Sequence, residues 1–422
     1  MLRTSQVCFP QEMSMTYRNP AIQRAREAGL AVLQPTPAEL EHGLELHREA
    51  TVVESYGFSA YAAPDITAVM AAADAGTDAV EVERLRIESM MTRMAVDADE
   101  RAEFAEAWEA SGVTCVLRNS GEEGNSIPRL IERLAYNTFV TDRLSDIMVR
   151  ATTPDDILAA KAAGKHCFYF TTNGVPLPML FQAAASELSH IGVFYQLGVR
   201  MMHLTYNRTN PIGTGCAEPN DGGLTDFGRT VVAELNRVGI IADGAHSSEQ
   251  TCLDMAAVSE KPVVVSHSTC AALTPHCRAK SDHVLRAVAD TGGFTGICCI
   301  PAFLGGSGDI HAFLDHLDHA IRTVGAEHVA IGTDVHTDSS RSAAAAEALA
   351  ALPGNHSRWE NFWPANDPLW DPQWNRPELT ETMAWTNWPL FTVGLVQRGH
   401  SDADIRKIIG ENVLRVAREC IL

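Results

Sequence analysis

The chain has 422 residues, 45% hydrophobic and 20% charged, which supplies a large core and excludes both a disordered chain and a small disulfide-stapled fold. Its 33 Lys plus Arg against 53 Asp plus Glu give a formal charge of −20, a field that repels phosphate backbones and anionic lipid and so excludes nucleic acid and acidic membranes as partners. The opening MLRTSQVCFPQEMSMTYRNP lacks a basic n-region followed by an apolar run, and no later stretch reaches the ~18 apolar residues of a spanning helix, so a cytoplasmic protein is expected.

Residues 1–50 read as an N-terminal helical extension, with Pro37 opening a helix in which Glu and Leu recur at helical spacing. TVVESYGF at 51–58 is a short β-branched run, the first predicted strand. Helical patterns fill 66–110, where Ile87, Met90, Met91 and Met94 form an apolar stripe suited to core packing. Seven more runs follow, VTCVLRN at 113–119, HCFYFTTNG at 166–174, VRMMHLTYN at 199–207, GIIADGAHS at 239–247, PVVVSHS at 262–268, FTGICCI at 294–300 and VAIGTDVH at 329–336. Helical segments separate them, and eight strands with polar carboxyl ends predict an α/β fold, a (β/α)8 TIM barrel forming one domain over 51–422. Within it, 353–390 holds six of the seven tryptophans and is broken by Pro and Asn; it is expected as an irregular ordered segment at the barrel mouth, a subunit contact or a cover on the barrel flank. The tail from Ser401 reads as an apolar-periodic helix in which Gly410 breaks or packs tightly. The ten cysteines include no C-x-x-C pair and are expected as reduced core thiols.

Barrel enzymes gather reactive groups at the carboxyl ends of their strands. His246 follows the fifth run and His267 the sixth; two such imidazoles can share one divalent ion, zinc or another, or flank one substrate. Asp334, after the eighth run, completes the set as a third metal ligand or as a general base. His246, His267 and Asp334 are thus both the catalytic and the metal-binding candidates. Arg278 offers a planar donor fork to a substrate carboxylate, while Tyr206, Asn173 and Tyr56 end the fourth, third and first runs as substrate-binding candidates. His311, His316 and His319 belong to a helix and are expected to make helix contacts. GGSGD at 305–309 lacks the spacing of a phosphate loop.

From about residue 50 to 417 the chain resembles the membrane or renal dipeptidase family of metal-dependent barrels, through GGLTDFGRTVVAELNRVGIIADGAHSS, PVVVSHS, AIGTDVHTD and SDADIRKIIGENVLRV in the family's order. The resemblance implies a homodimeric (β/α)8 barrel with two zincs that hydrolyses dipeptides, His246 and His267 matching two zinc ligands, Asp334 the proton-transfer aspartate and Arg278 the carboxylate-binding arginine. Four family positions depart, at three strand ends. Tyr56 and Phe58 stand where a His and an Asp bind the other zinc, the third strand ends in Phe170-Thr171-Thr172-Asn173-Gly174 with no bridging glutamate, and Tyr206 replaces a substrate-contacting histidine. Phenylalanine cannot ligate a metal, and tyrosine ionises only near ~10, so a binuclear zinc centre is expected to be absent. Glu54, two residues before Tyr56, is expected on the same strand face one layer deeper. The readings left open are a divergent dipeptidase-like enzyme acting on a small amide, dipeptide or amino-acid conjugate with at most one metal or metal-free His/Asp proton transfer, an inactive binding or structural protein, and a plain zinc dipeptidase.

Overall fold

The eight apolar runs become eight strands in the computed structural model, which describes residues 17–121, 126–180, 182–350, 352 and 358–421. They are β1 (Val53–Gly57), β2 (Cys115–Asn119), β3 (His166–Thr172), β4 (Val199–His203), β5 (Ile241–Asp243), β6 (Val264–Ser268), β7 (Phe294–Ile297) and β8 (Val329–Ile331). Neighbours pair in chain order from β1 to β8, and every ladder is parallel. The N–H of Asp334, just past β8, donates to Tyr56 O of β1 at 3.4 Å, so the sheet curls back on itself with helices outside, a (β/α)8 barrel. Two short additions decorate it. Met148–Ala151 pairs with the first half of β3, and Ser59–Tyr61 pairs with His336–Asp338 above the β1 and β8 ends.

The barrel interior is filled from alternate strand positions by Val53, Leu117, Tyr169, Met201, Ile241 and Phe294, closed below by Val413 and Leu414 of the C-terminal helix Asn412–Cys420. Gly410 lets that helix approach, because a Cβ there would meet Thr51 O at 2.0 Å. Two more glycines admit strand contacts. A Cβ on Gly296 or Gly332 would lie 2.0 or 2.2 Å from Ser266 O and 2.6 Å from Ser55 Oγ, and Ser55 Oγ itself donates to Ser266 O at 2.7 Å across the barrel.

N-terminal helices Pro20–Leu33 and Pro37–Glu49 cover the outside, the second opened by a capping box between Thr36 and Glu39. They lie against helix Trp388–Gln397, where Gly43 meets the Val393 backbone. The tryptophan-rich segment divides its work. Short 3₁₀ turns run from Arg358 to Asn375, Trp363 is buried beside Phe303, Trp370 is partly exposed, and Trp385 and Trp388 are fully buried in the flank; residues 353–357 lie outside the described residues. Met91 and Met94 of the predicted stripe are buried, and the nine cysteines among the described residues are free thiols. No helix among the described residues is long and apolar enough to cross a membrane.

Glu54 corrects one expectation. The β1–β2 register shifts between Glu54 and Gly57, so Ser55 and Tyr56 face the interior while Glu54 turns outward. There its carboxyl receives the Thr333 N–H at 3.1 Å, the Thr333 hydroxyl and the Trp385 indole N–H at 2.8 Å. Burial outweighs these donors and pushes the Glu54 carboxyl up to about 8.

Two predictions follow from packing and charge. Gly296→Ala should cost at least ~2 kcal/mol through backbone clash, whereas Gly192→Ala, on a helix with open space around its Cβ, should add ~0.5–1 kcal/mol; urea unfolding compares them. A solvated glutamate releases its proton near 4.5 and folded Glu54 only near 8, so the folded state holds the extra proton between these values and stability falls as pH rises. Glu54 alone should make the fold roughly 3 kcal/mol less stable at pH 8 than at 5.5, a slope that Glu54→Gln flattens whatever its effect on the baseline; identical slopes in both proteins would reject the assignment.

Candidate active site

The strand ends bring together the three residues of the predicted set. His246 Nε2 and His267 Nε2 lie 3.0 Å apart, and Asp334 Oδ2 is 4.0 Å from His267 Nε2. Each imidazole is held from behind. Asn207 Oδ1 sits 2.7 Å from His246 Nδ1, and Ser266 Oγ 2.8 Å from His267 Nδ1. Asn207 Oδ1 also accepts from the Cys216 thiol at 3.3 Å, so one amide ties His246 to the loop after β4. Burial, reinforced by the nearby Arg278 charge, holds both imidazoles well below the usual histidine range, so they are neutral at physiological pH. Asp334 has φ +60°, a left-handed conformation that aspartate tolerates better than most residues and that is concentrated at functional sites.

Aromatic rings occupy the positions that depart from the dipeptidase pattern. Tyr56 stacks on His267 with ring centres 3.9 Å apart, and its hydroxyl donates to Asn173 Oδ1 at 2.6 Å. Phe58 packs edge-on against Tyr56, and Tyr206 stacks on His246 at 4.0 Å beneath Phe362 of the tryptophan-rich segment. The strand ends where the resemblance implies a ligating histidine and a bridging glutamate thus carry a tyrosine ring hydrogen-bonded to an amide. A two-zinc centre of the family type does not fit these residues.

Arg278 is buried, and its guanidinium donates to the carbonyls of Ala245 and, at 3.2 Å, His267. It ties the ends of β5 and β6 together while placing a positive charge near Asp334. A cavity of about 790 Å³ lies between the start of the first N-terminal helix, the chain after β8 from Asp334 onward and the segment around Met383; Asp334 is in its wall, and His246 and His267 lie outside that wall. His336 turns away into the small ladder, facing Tyr61 and Phe58.

Two residues at the centre escape a reading of runs and motifs. His203 ends β4 and Asp243 ends β5, paired across the ladder, with His203 Nε2 2.7 Å from Asp243 Oδ2. Burial works to raise the Asp243 carboxyl, but His203 and the Ser266 donors prevail and hold it low. Asn207, which closes the fourth run beside Tyr206, reaches the same centre through His246. A histidine closing an apolar run at the same topological level as His246 was the available signal. His316 is a buried tie, accepting from the Cys270 N–H at 2.9 Å and meeting Leu304 O at 2.9 Å, while His319 pairs with Asp282. A separate group, His276, Cys277 and Asp367, pins the tryptophan-rich segment to the loop after β6. Its histidine is committed to hydrogen bonds, accepting the Arg278 N–H at Nδ1 (3.1 Å) and reaching Asp367 Oδ1 through Nε2 (3.3 Å).

Comparison with known proteins gives this geometry a lineage. Dipeptidase tcpJ of Claviceps purpurea is 28% identical over 285 residues, 66% of this chain and 57% of that protein. Dipeptidase verJ of Clonostachys rogersoniana is 31% identical over 225 residues, 53% and 48% of the two chains. The chain spans about half the length of the curated relatives it matches. Among solved structures, an amidohydrolase from Pseudomonas aeruginosa superposes with a TM-score of 0.65 at 24% identity, covering 90% of this chain and 99% of its own. A metallopeptidase from Rhodobacter sphaeroides, liganded with a phosphinate mimic of the dipeptide L-Ala-D-Ala, gives 0.62 at 17% identity, covering 88% and 99%. These likenesses carry the barrel fold. Residues 46–345 match the model of the membrane dipeptidase family, Peptidase family M19, and the chain belongs to that family.

Proposed function

We propose that this protein hydrolyses the amide bond of a small dipeptide or amino-acid conjugate, with Asp334 as the proton-transfer group. The observation that carries the reading is Asp334, which lines a cavity of about 790 Å³ and stands 4.0 Å from the nearer of two adjacent imidazoles; the cavity is room enough for a dipeptide-sized ligand. The Asp334 side chain is one-fifth exposed, so it reaches both the cavity and the histidines. It takes a proton from the attacking water and returns it to the leaving amine. His267 and His246 orient that water, Arg278 supplies the positive field for a substrate carboxylate, and Tyr206 and Tyr56, the latter tied to Asn173, hold the two imidazoles in place.

A second reading has its own support. The rings of Tyr56 and Tyr206 lie flat on His267 and His246, which suits a family member that has kept the barrel for binding alone. The two readings separate on a panel of L,L- and L,D-dipeptides and N-acyl amino acids. Hydrolysis of at least one member is expected, with Asp334→Asn lowering kcat by about 10²–10⁴-fold and leaving KM within a few-fold. Calorimetric binding of panel members with no turnover in either protein would instead establish the binding role and end the hydrolase assignment.

A further inference from the structure

The centre contains one buried group whose needs the hydrogen bonds leave unmet. His203 is fully buried, and among the described residues neither of its ring nitrogens has a hydrogen-bond partner. Its Nε2 is 2.7 Å from Asp243 Oδ2, but the contact lacks hydrogen-bond alignment and that oxygen is likewise without a hydrogen-bond partner. The other oxygen, Asp243 Oδ1, is fixed by the N–H groups of Ala245 and Ser266 at 2.9 and 3.0 Å. Leaving such groups unsatisfied in a core is costly, and here they point at one another.

His203 also completes a triangle. The ring centres of His203 and His246 are 5.3 Å apart, those of His203 and His267 5.3 Å, and those of His246 and His267 5.0 Å. Three imidazoles bound tetrahedrally at about 2.0–2.1 Å, each with its ring centre roughly 1.2 Å further out, place those centres ~5.2 Å apart. For His246 and His267 the Nε2 atoms face inward and the Nδ1 atoms are held by Asn207 and Ser266, the outer-shell arrangement that orients metal-bound histidines. Ligand atoms of His203, Asp243 and His267 all fall within 4.8 Å of one another.

We infer that His203, Asp243 and His267, with His246 Nε2 3.0 Å from His267 Nε2, form a site for a single divalent cation of the zinc type. Tyr56, stacked on His267 and with its ring centre 5.2 Å from that of His203, covers these two imidazoles. Asp334 stands outside the triangle, on its cavity side. A histidine supplied by β4 thus compensates for the ligands lost from β1 and β3.

The site is tested on the full chain, purified without chelator and loaded with zinc, by elemental analysis and X-ray absorption. About one ion per chain is expected, with three imidazoles at ~2.0–2.1 Å and no sulfur at ~2.3 Å, and His203→Leu should lower the zinc content at least ~10-fold. No ion, two ions, an imidazole count of two, a sulfur shell placing the ion at Cys277, or full zinc in His203→Leu would each overturn the site. If His203→Leu does not fold, the imidazole count on the unsubstituted protein decides. Turnover is read separately: a zinc-loaded triangle inert toward dipeptides would sink the hydrolase assignment and leave this site standing, and a metal-free active protein would do the reverse.

Discussion

A parallel barrel closes only where its inner wall has room for the last strands to meet the first. Here Gly296 and Gly332 leave the space in which Ser55 reaches Ser266 O, and the chain beyond β8 then meets β1 through Asp334 and Tyr56. That closure sets the level of every strand end. Asp334 can stand 4.0 Å from His267 only because β8 and β6, which do not pair with each other, are drawn around the same axis. The chemistry at the mouth depends on two missing side chains below it.

Once the level is set, the character of the centre follows from an exchange of charge for aromatic surface. Carboxylates facing one another need cations between them, whereas tyrosine rings satisfy themselves by stacking and one hydroxyl bond. Tyr56 and Tyr206 sandwich the histidines from two sides, so the imidazoles are desolvated and neutral. Asp243, held low by its neighbours, is then the innermost negative charge, and the centre of gravity of the polar cluster moves from the barrel rim toward the ladder between β4 and β5.

The eight strands were legible because short β-branched runs alternate with helical periodicity, and the polar residue after each run marked the mouth. His246, His267 and Asp334 were legible for the same reason. Glu54 was not, since strict alternation puts it on the Tyr56 face and only the register shift before Gly57 turns it outward. His203 and Asp243 were hidden by position: each is the last residue of a buried strand, where a polar side chain reads as part of the run until its cross-strand partner is known. The tryptophan-rich segment offered composition without periodicity, so its division between mouth and flank required the fold.

The hydrogen bond from Trp385 to Glu54 spans 331 positions of sequence. Such a contact has a kinetic meaning. A barrel that grows strand by strand from the N-terminus carries a carboxyl in its first strand whose indole donor arrives only after the eighth, as do the residues of helix Trp388–Gln397 that cover the N-terminal helices. Long-range contacts of this kind raise the mean sequence separation and slow folding. On a ribosome, β1 emerges long before the residue that seals it, so all eight strands are made before the carboxyl of the first can be paired.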